Sequence, residues 1–169
     1  MRCVAILAFT IALTGCQIGT PKTRDVETFV KAMEGDWRGE YHLWLMPGSP
    51  KQSSPSTAQV KAGEMSYDWA QDKTAHKGKF RFGGSGRKAQ FDWQDTFHTP
   101  GAGMKGEGAL SEDGTKLVFM TSYGAANAPS WGWRTELTLS AAGTLTMEAY
   151  NITPQGQEAL AVRCEYARN

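Results

Sequence analysis

The chain has 169 residues, with 18 lysines and arginines against 17 aspartates and glutamates, a formal charge of +1. That length suits a single domain able to bury a substantial core without staples. The near-neutral balance removes the electrostatic case for a nucleic-acid partner.

The first element is an apolar run, Val4 to Leu13, behind Met1-Arg2 and ending in Leu13-Thr14-Gly15-Cys16. It is too short to cross roughly 30 Å of hydrocarbon as a stable helix and has the length of a signal peptide. Leu13-Thr14-Gly15-Cys16 resembles the cleavage and lipidation box of bacterial lipoproteins. The resemblance implies that residues 1–15 are a leader, that Cys16 receives a diacylglyceryl thioether, and that the new amino terminus is acylated. At about 0.8 kcal/mol per buried methylene, several acyl chains hold a protein firmly to a bilayer. Gln17 stands where an aspartate would suggest inner-membrane retention, so the implied address is the outer membrane, facing the periplasm. An ordinary secretory leader with a cysteine at its cleavage site is the alternative.

Removal of 15 residues takes Arg2 with it and leaves 154 residues of the 169, formally neutral. It also leaves Cys164 as the one cysteine in the body of the chain, because Cys3 lies in the leader and Cys16 carries lipid. No intramolecular disulfide is then available. Cys164 alternates with Val162 and Tyr166, which places it on an inward strand face as an inert thiol.

Residues 16–24 are polar after Cys16, and Gln17 to Arg24 read as a tether spanning roughly 25 Å when extended. Residues 25–169 are read as the folded domain. Asp25 to Glu34 follow with Val26, Phe29, Val30 and Met33 at helical spacing, and with Thr23 or Asp25 as cap. After Gly35 the period becomes two: Trp37, Gly39, Tyr41, Leu43 and Leu45 alternate with Arg38, Glu40, His42 and Trp44. Further strands are predicted at about 57–70, 75–82, 87–98, 104–110, 115–123, 131–140, 144–152 and 157–167. Turn tetrads such as Gly83-Gly84-Ser85-Gly86, Ser111-Glu112-Asp113-Gly114 and Thr153-Pro154-Gln155-Gly156 separate them. Nine or ten antiparallel strands in an up-and-down meander are expected. Closing the meander into a barrel would remove exposed edges. The polar stretch Pro47 to Ser56 reads as a loop over one mouth.

Gly35-Asp36-Trp37 after a short helix resembles the G-x-W start of lipocalins and other calycins. With Gly39 and Tyr41 it is also similar to nitrobindin-like barrels, Glu40 standing where they tend to have glycine. More specific is the succession Trp37-x-Gly39, Tyr67-x-Trp69, Trp93-x-Asp95-x-x-His98, Trp131-x-Trp133-Arg134 and Asn151-Ile152-Thr153-Pro154-x-Gly156. It resembles a bacterial domain-of-unknown-function family, number fifteen-seventy-nine, over residues 26–168. That resemblance implies a calycin-like all-β barrel and brings no activity with it.

The densest polar cluster is Phe91 to His98. Alternation puts Phe91, Trp93, Asp95 and Phe97 on one face and Asp92, Gln94, Thr96 and His98 on the other. A carboxylate facing an apolar interior must be paired or neutralised, and Arg134 and Arg163 are candidate partners. Asp95 then orients a ligand on a floor formed with Trp93, Trp133, Tyr67 and Phe80, or it forms an internal ion pair that only closes the barrel end. His98, before Thr99-Pro100-Gly101, is expected at the rim, within reach of a ligand. His42 falls on a polar face and His76 on an apolar one. No H-E-x-x-H, C-x-x-C or G-x-S-x-G occurs, and a metal site would have to be assembled from separate strands, as from His98, Asp95 and Glu107. Nitrobindin-like barrels bind haem through a histidine near the chain end, and this chain has none after His98, so no cofactor is expected. Lys77, Lys79 and Arg81 read as a solvated strand face.

Two functions remain open. One is a membrane-anchored binding lipoprotein of the cell envelope, with Trp93, Asp95, His98, Tyr67, Trp133 and Arg134 taking a small apolar or amphipathic ligand, or an envelope protein docking at the mouth. The other is a hydrolase or isomerase using Asp95 and His98 as an acid and base pair.

Overall fold

The computed structural model describes residues 25–124 and 127–169. The leader, Cys16 and the tether lie outside the described residues.

One helix, α1 (Val26–Met33), precedes ten strands: β1 (Gly35–Leu43), β2 (Gln52–Lys61), β3 (Glu64–Gln71), β4 (Thr74–Ser85), β5 (Lys88–Asp95), β6 (Met104–Leu110), β7 (Lys116–Tyr123), β8 (Trp131–Leu139), β9 (Thr144–Ile152) and β10 (Glu158–Arg168). Each strand pairs antiparallel with its neighbour in sequence, and β1 pairs with β10 to close the barrel. The all-β barrel with one short helix read from the two-residue period is the architecture observed.

Asp25 caps α1 by accepting the Thr28 amide at 2.7 Å. Val26, Phe29, Val30 and Met33 form its buried face. The helix plugs the barrel end where β1 starts and β10 finishes. Trp37 donates its indole N–H to the Met33 carbonyl at 2.9 Å. The Arg168 guanidinium lies 4.4 Å above the Trp37 ring and donates to the Ala32 carbonyl at 3.0 Å and to that of Glu34, so it satisfies carbonyls that the helix end leaves open.

Two boundaries differ from those the sequence suggests. The run 57–70 is not one strand but the hairpin of β2 and β3, turned at Ala62-Gly63, both with positive φ (50° and 79°), as a type I′ turn requires. The polar stretch Pro47 to Ser56 is not wholly a loop, because Gln52 to Ser56 extend β2 along β1. Its composition hid it. These residues lie beyond the β2–β3 ladder, which starts at Thr57 opposite Asp68, so Pro55 removes no bond from that ladder. Side chains bridge the gap: Ser54 Oγ accepts the Ala70 amide at 3.0 Å, and Ser56 Oγ donates to the Asp68 carbonyl at 2.5 Å. Leu45 also departs from its expected inward place. β1 ends at Leu43, and Leu45 is 46% exposed.

Side chains fill the interior. Trp37, Tyr41, Phe80, Phe119, Leu137 and Tyr166 are among the fully buried ones, and aromatic contacts run from Phe119 through Phe91 and Phe80 to Trp93. Cys164 faces this core, as its alternation with Val162 and Tyr166 implied. Burial pushes its thiol well above the usual range. Cys164 is therefore expected to be inert to a thiol-specific disulfide reagent in the native protein and to react fully in denaturant. Rapid labelling of the native protein would contradict its placement.

Candidate functional site

At the end opposite α1, three adjacent strands put Tyr67, Gly78 and Asp95 in one row, paired Tyr67 with Gly78 and Gly78 with Asp95. Because Gly78 carries no side chain, the Tyr67 ring lies across it: a Cβ there would stand 1.9 Å from the ring. The Tyr67 hydroxyl donates to Asp95 Oδ2 at 2.9 Å and accepts the Trp93 indole N–H at 2.9 Å. Trp69 donates to the same carboxylate oxygen at a long 3.4 Å.

β5 stops at Asp95, and the carboxylate itself turns the chain. Oδ1 accepts the backbone amides of Phe97 at 2.8 Å and His98 at 2.9 Å, the local side-chain-to-backbone bonding that aspartate favours over a continuing strand. The Asp95 amide donates to Thr99 Oγ1 at 2.6 Å, and the Thr99 amide to the Asp95 carbonyl at 3.1 Å. This turn carries His98 inward, and its Nδ1 sits 3.1 Å from Asp95 Oδ1.

Two expectations are thereby revised. His98 shares the interior with Asp95 instead of facing outward, since alternation ends where the strand does. The side chain paired with Asp95 is His98, not an arginine: Arg163 reaches Glu148 and Glu165, and Arg134 reaches Glu136 and Glu158 on the outer wall, over the Tyr150 ring. Glu107 stands exposed on the outer face of β6, away from both. Among the described residues, no three histidine, cysteine or acidic side chains converge as metal ligands would.

The side chain of Asp95 is fully buried and that of His98 nine-tenths so. Burial by itself would raise the carboxyl, but the His98 ring and the amides of His98 and Phe97 together hold it below its usual range. Tyr67 is driven the other way, well above the usual phenol range, by burial and then by the Asp95 charge, so it remains a neutral donor. A carboxylate accepting from Nδ1 puts the proton of the neutral imidazole on that nitrogen. His98 Nε2 is left as a lone-pair acceptor, buried and, among the described residues, without a hydrogen-bond partner. Its ring lies among Phe97, Trp133, Trp69 and Trp93, with centroids 4.9 to 5.7 Å away.

His98 and Trp133 also line an open cavity of about 370 Å³ at the barrel mouth, with Met104, Tyr123 and Asn151. That volume falls at the small end of ligand sites. The Tyr123 hydroxyl donates to Asn151 Oδ1 at 2.5 Å. Of the residues named from the sequence, His98 and Trp133 line the mouth, Tyr67, Trp93 and Asp95 support His98 from beneath, and Arg134 points away. Met104, Tyr123 and Asn151 were missed. Each is the inward residue near a strand end, and the register of the ladders β6 to β9 brings them to one mouth. Trp69 was legible as a motif residue, but its contact with Asp95 was not.

The comparison with curated proteins gives no match. The model of a family described as "Protein of unknown function (DUF1579)" matches residues 22–168, nearly the whole chain and all ten strands, and the chain therefore belongs to that family.

Proposed function

We propose that the protein is a binding lipoprotein of the cell envelope, whose barrel mouth takes a small, largely apolar ligand beside His98 and Trp133. The observation that carries this reading is His98 Nε2. Nδ1 is fixed by Asp95, the imidazole is enclosed by aromatic rings, and the remaining nitrogen has no partner among the described residues. Buried polar atoms are almost always paired, and an exception at a cavity marks a place for an outside group. The calycin-like reading is supported by the ten-strand meander behind a short helix. Anchoring is proposed to come from lipid on Cys16, at the outer membrane and facing the periplasm, on the strength of Leu13-Thr14-Gly15-Cys16.

Native mass spectrometry of residues 17–169 purified from the source cells tests the binding reading. A co-purifying small molecule, lost from a His98→Phe variant, is the expected result; a clean apo mass together with tryptophan emission unmoved by a panel of small aromatic molecules would defeat it. Anchoring is tested separately, by incorporation of labelled palmitate that Cys16→Ser abolishes.

The Asp95–His98 contact favours acid–base chemistry as a second reading. An aspartate that orients an imidazole and leaves Nε2 free is the arrangement of a general base. Turnover of a substrate that His98→Gln abolishes while binding persists would establish it.

A further inference from the structure

On the reading that the mouth is a ligand site, we propose that it selects a neutral, planar molecule bearing both a hydrogen-bond donor and a carbonyl acceptor, of the amide or lactam kind. Charge comes first. Among the described residues, none lining the mouth is a lysine, arginine, aspartate or glutamate, and the Asp95 carboxylate beneath is occupied by its own donors: Tyr67, Trp69, His98 and two backbone amides. An ionic ligand would give up hydration without a counter-charge. A neutral one would not.

The polar groups set the complement. His98 Nε2 is buried and unpaired among the described residues, on a ring that lines the cavity, so a ligand N–H or O–H that reaches it as the ring turns toward the mouth would satisfy it. The Tyr123 hydroxyl occupies Asn151 Oδ1, which fixes the amide orientation and makes its NH₂ the donor side. Asn151 follows Met147 and Ala149 on the inward face of β9, so that donor belongs to the mouth. One acceptor and one donor call for one of each on the ligand. Shape comes from the aromatic walls: Trp133 is stacked on Trp93 at 5.3 Å and edged by Tyr123 at 6.4 Å, a flat surface against which a planar ligand gains dispersion.

Four molecules of nearly equal size separate these requirements: benzamide, toluene, benzoate and benzamidine. Each is titrated into residues 17–169, followed by tryptophan emission and ligand-observed NMR. Benzamide is expected to bind at least tenfold more tightly than the other three. Asn151→Leu and His98→Phe should each weaken benzamide about tenfold and leave toluene unchanged or tighter. Asn151→Leu leaves the Asp95 hydrogen bonds intact, so it keeps the test decisive if His98→Phe fails to fold. Toluene binding as well as benzamide, or benzoate or benzamidine binding better, overturns the amide-like class while the mouth remains a ligand site. Binding by none of the four to the unmodified protein overturns both.

Discussion

Replacing Asp95 by asparagine is expected to destabilise the barrel by about 2 to 4 kcal/mol, because a buried donor left without an acceptor costs about 1 to 3 kcal/mol. The change is nearly isosteric, so the loss is electrostatic. Oδ1 accepts from Phe97 N, His98 N and His98 Nδ1, and Oδ2 accepts from Tyr67 and Trp69. An amide keeps one acceptor oxygen but turns NH₂ toward donors. Tyr67 can rotate its hydroxyl to accept; Trp69 and the backbone amides cannot. The turn that holds His98 inward would loosen, and ligand affinity would fall with stability.

The same carboxylate gives a pH signature. Its native pKa lies below its ordinary value, so in that interval the unfolded chain binds the proton and the native protein does not. Stability contributed by Asp95 is therefore full above the unfolded value, about 3.9, and is lost as pH falls through the lower native one. Chemical denaturation from pH 6 downward should show the gap between the unmodified protein and Asp95→Asn narrowing below about pH 4. A gap independent of pH would show that charge is not what Asp95 supplies.

The second large effect is expected at Gly78. In an ordinary strand, alanine in place of glycine gains about 0.5 to 1 kcal/mol from backbone entropy. Here the sign reverses. A Cβ would stand 1.9 Å from Tyr67 Cζ and 2.2 Å from its hydroxyl oxygen. The ring is 4% exposed and held against Phe80, so it has nowhere to retreat. Gly78→Ala is expected to cost about 3 kcal/mol, the upper end of overpacking penalties, because it displaces the ring and with it the bonds to Asp95 and Trp93. Tyr67→Ala removes the obstacle, and adding Gly78→Ala to it should then cost nothing. A double-mutant cycle by urea denaturation would read this coupling directly. Additive effects of the two substitutions would show that the glycine is not there for the ring.

The meander was legible before any coordinates. A two-residue period punctuated by turn tetrads fixes which face of each strand is buried, and consecutive short hairpins leave few topologies other than neighbour-to-neighbour pairing. The helix was equally legible, since its apolar spacing and the Asp25 cap are local properties. Gln52 to Ser56 were not, because their serines act through bonds to β3, a partner that spacing within the segment does not reveal. Nor was the site. Alternation predicts a side chain's direction only while the strand lasts, and it ends at Asp95 because the carboxylate captures the amides of Phe97 and His98. That capture turns His98 inward and puts an imidazole, not an arginine, against the carboxylate. Met104, Tyr123 and Asn151 come from β6, β7 and β9 and meet at one mouth through the register of the ladders β6 to β9. Local periodicity sets the wall; where the wall closes, and which polar groups are left unpaired behind it, depends on contacts between residues that the order of the chain does not place together.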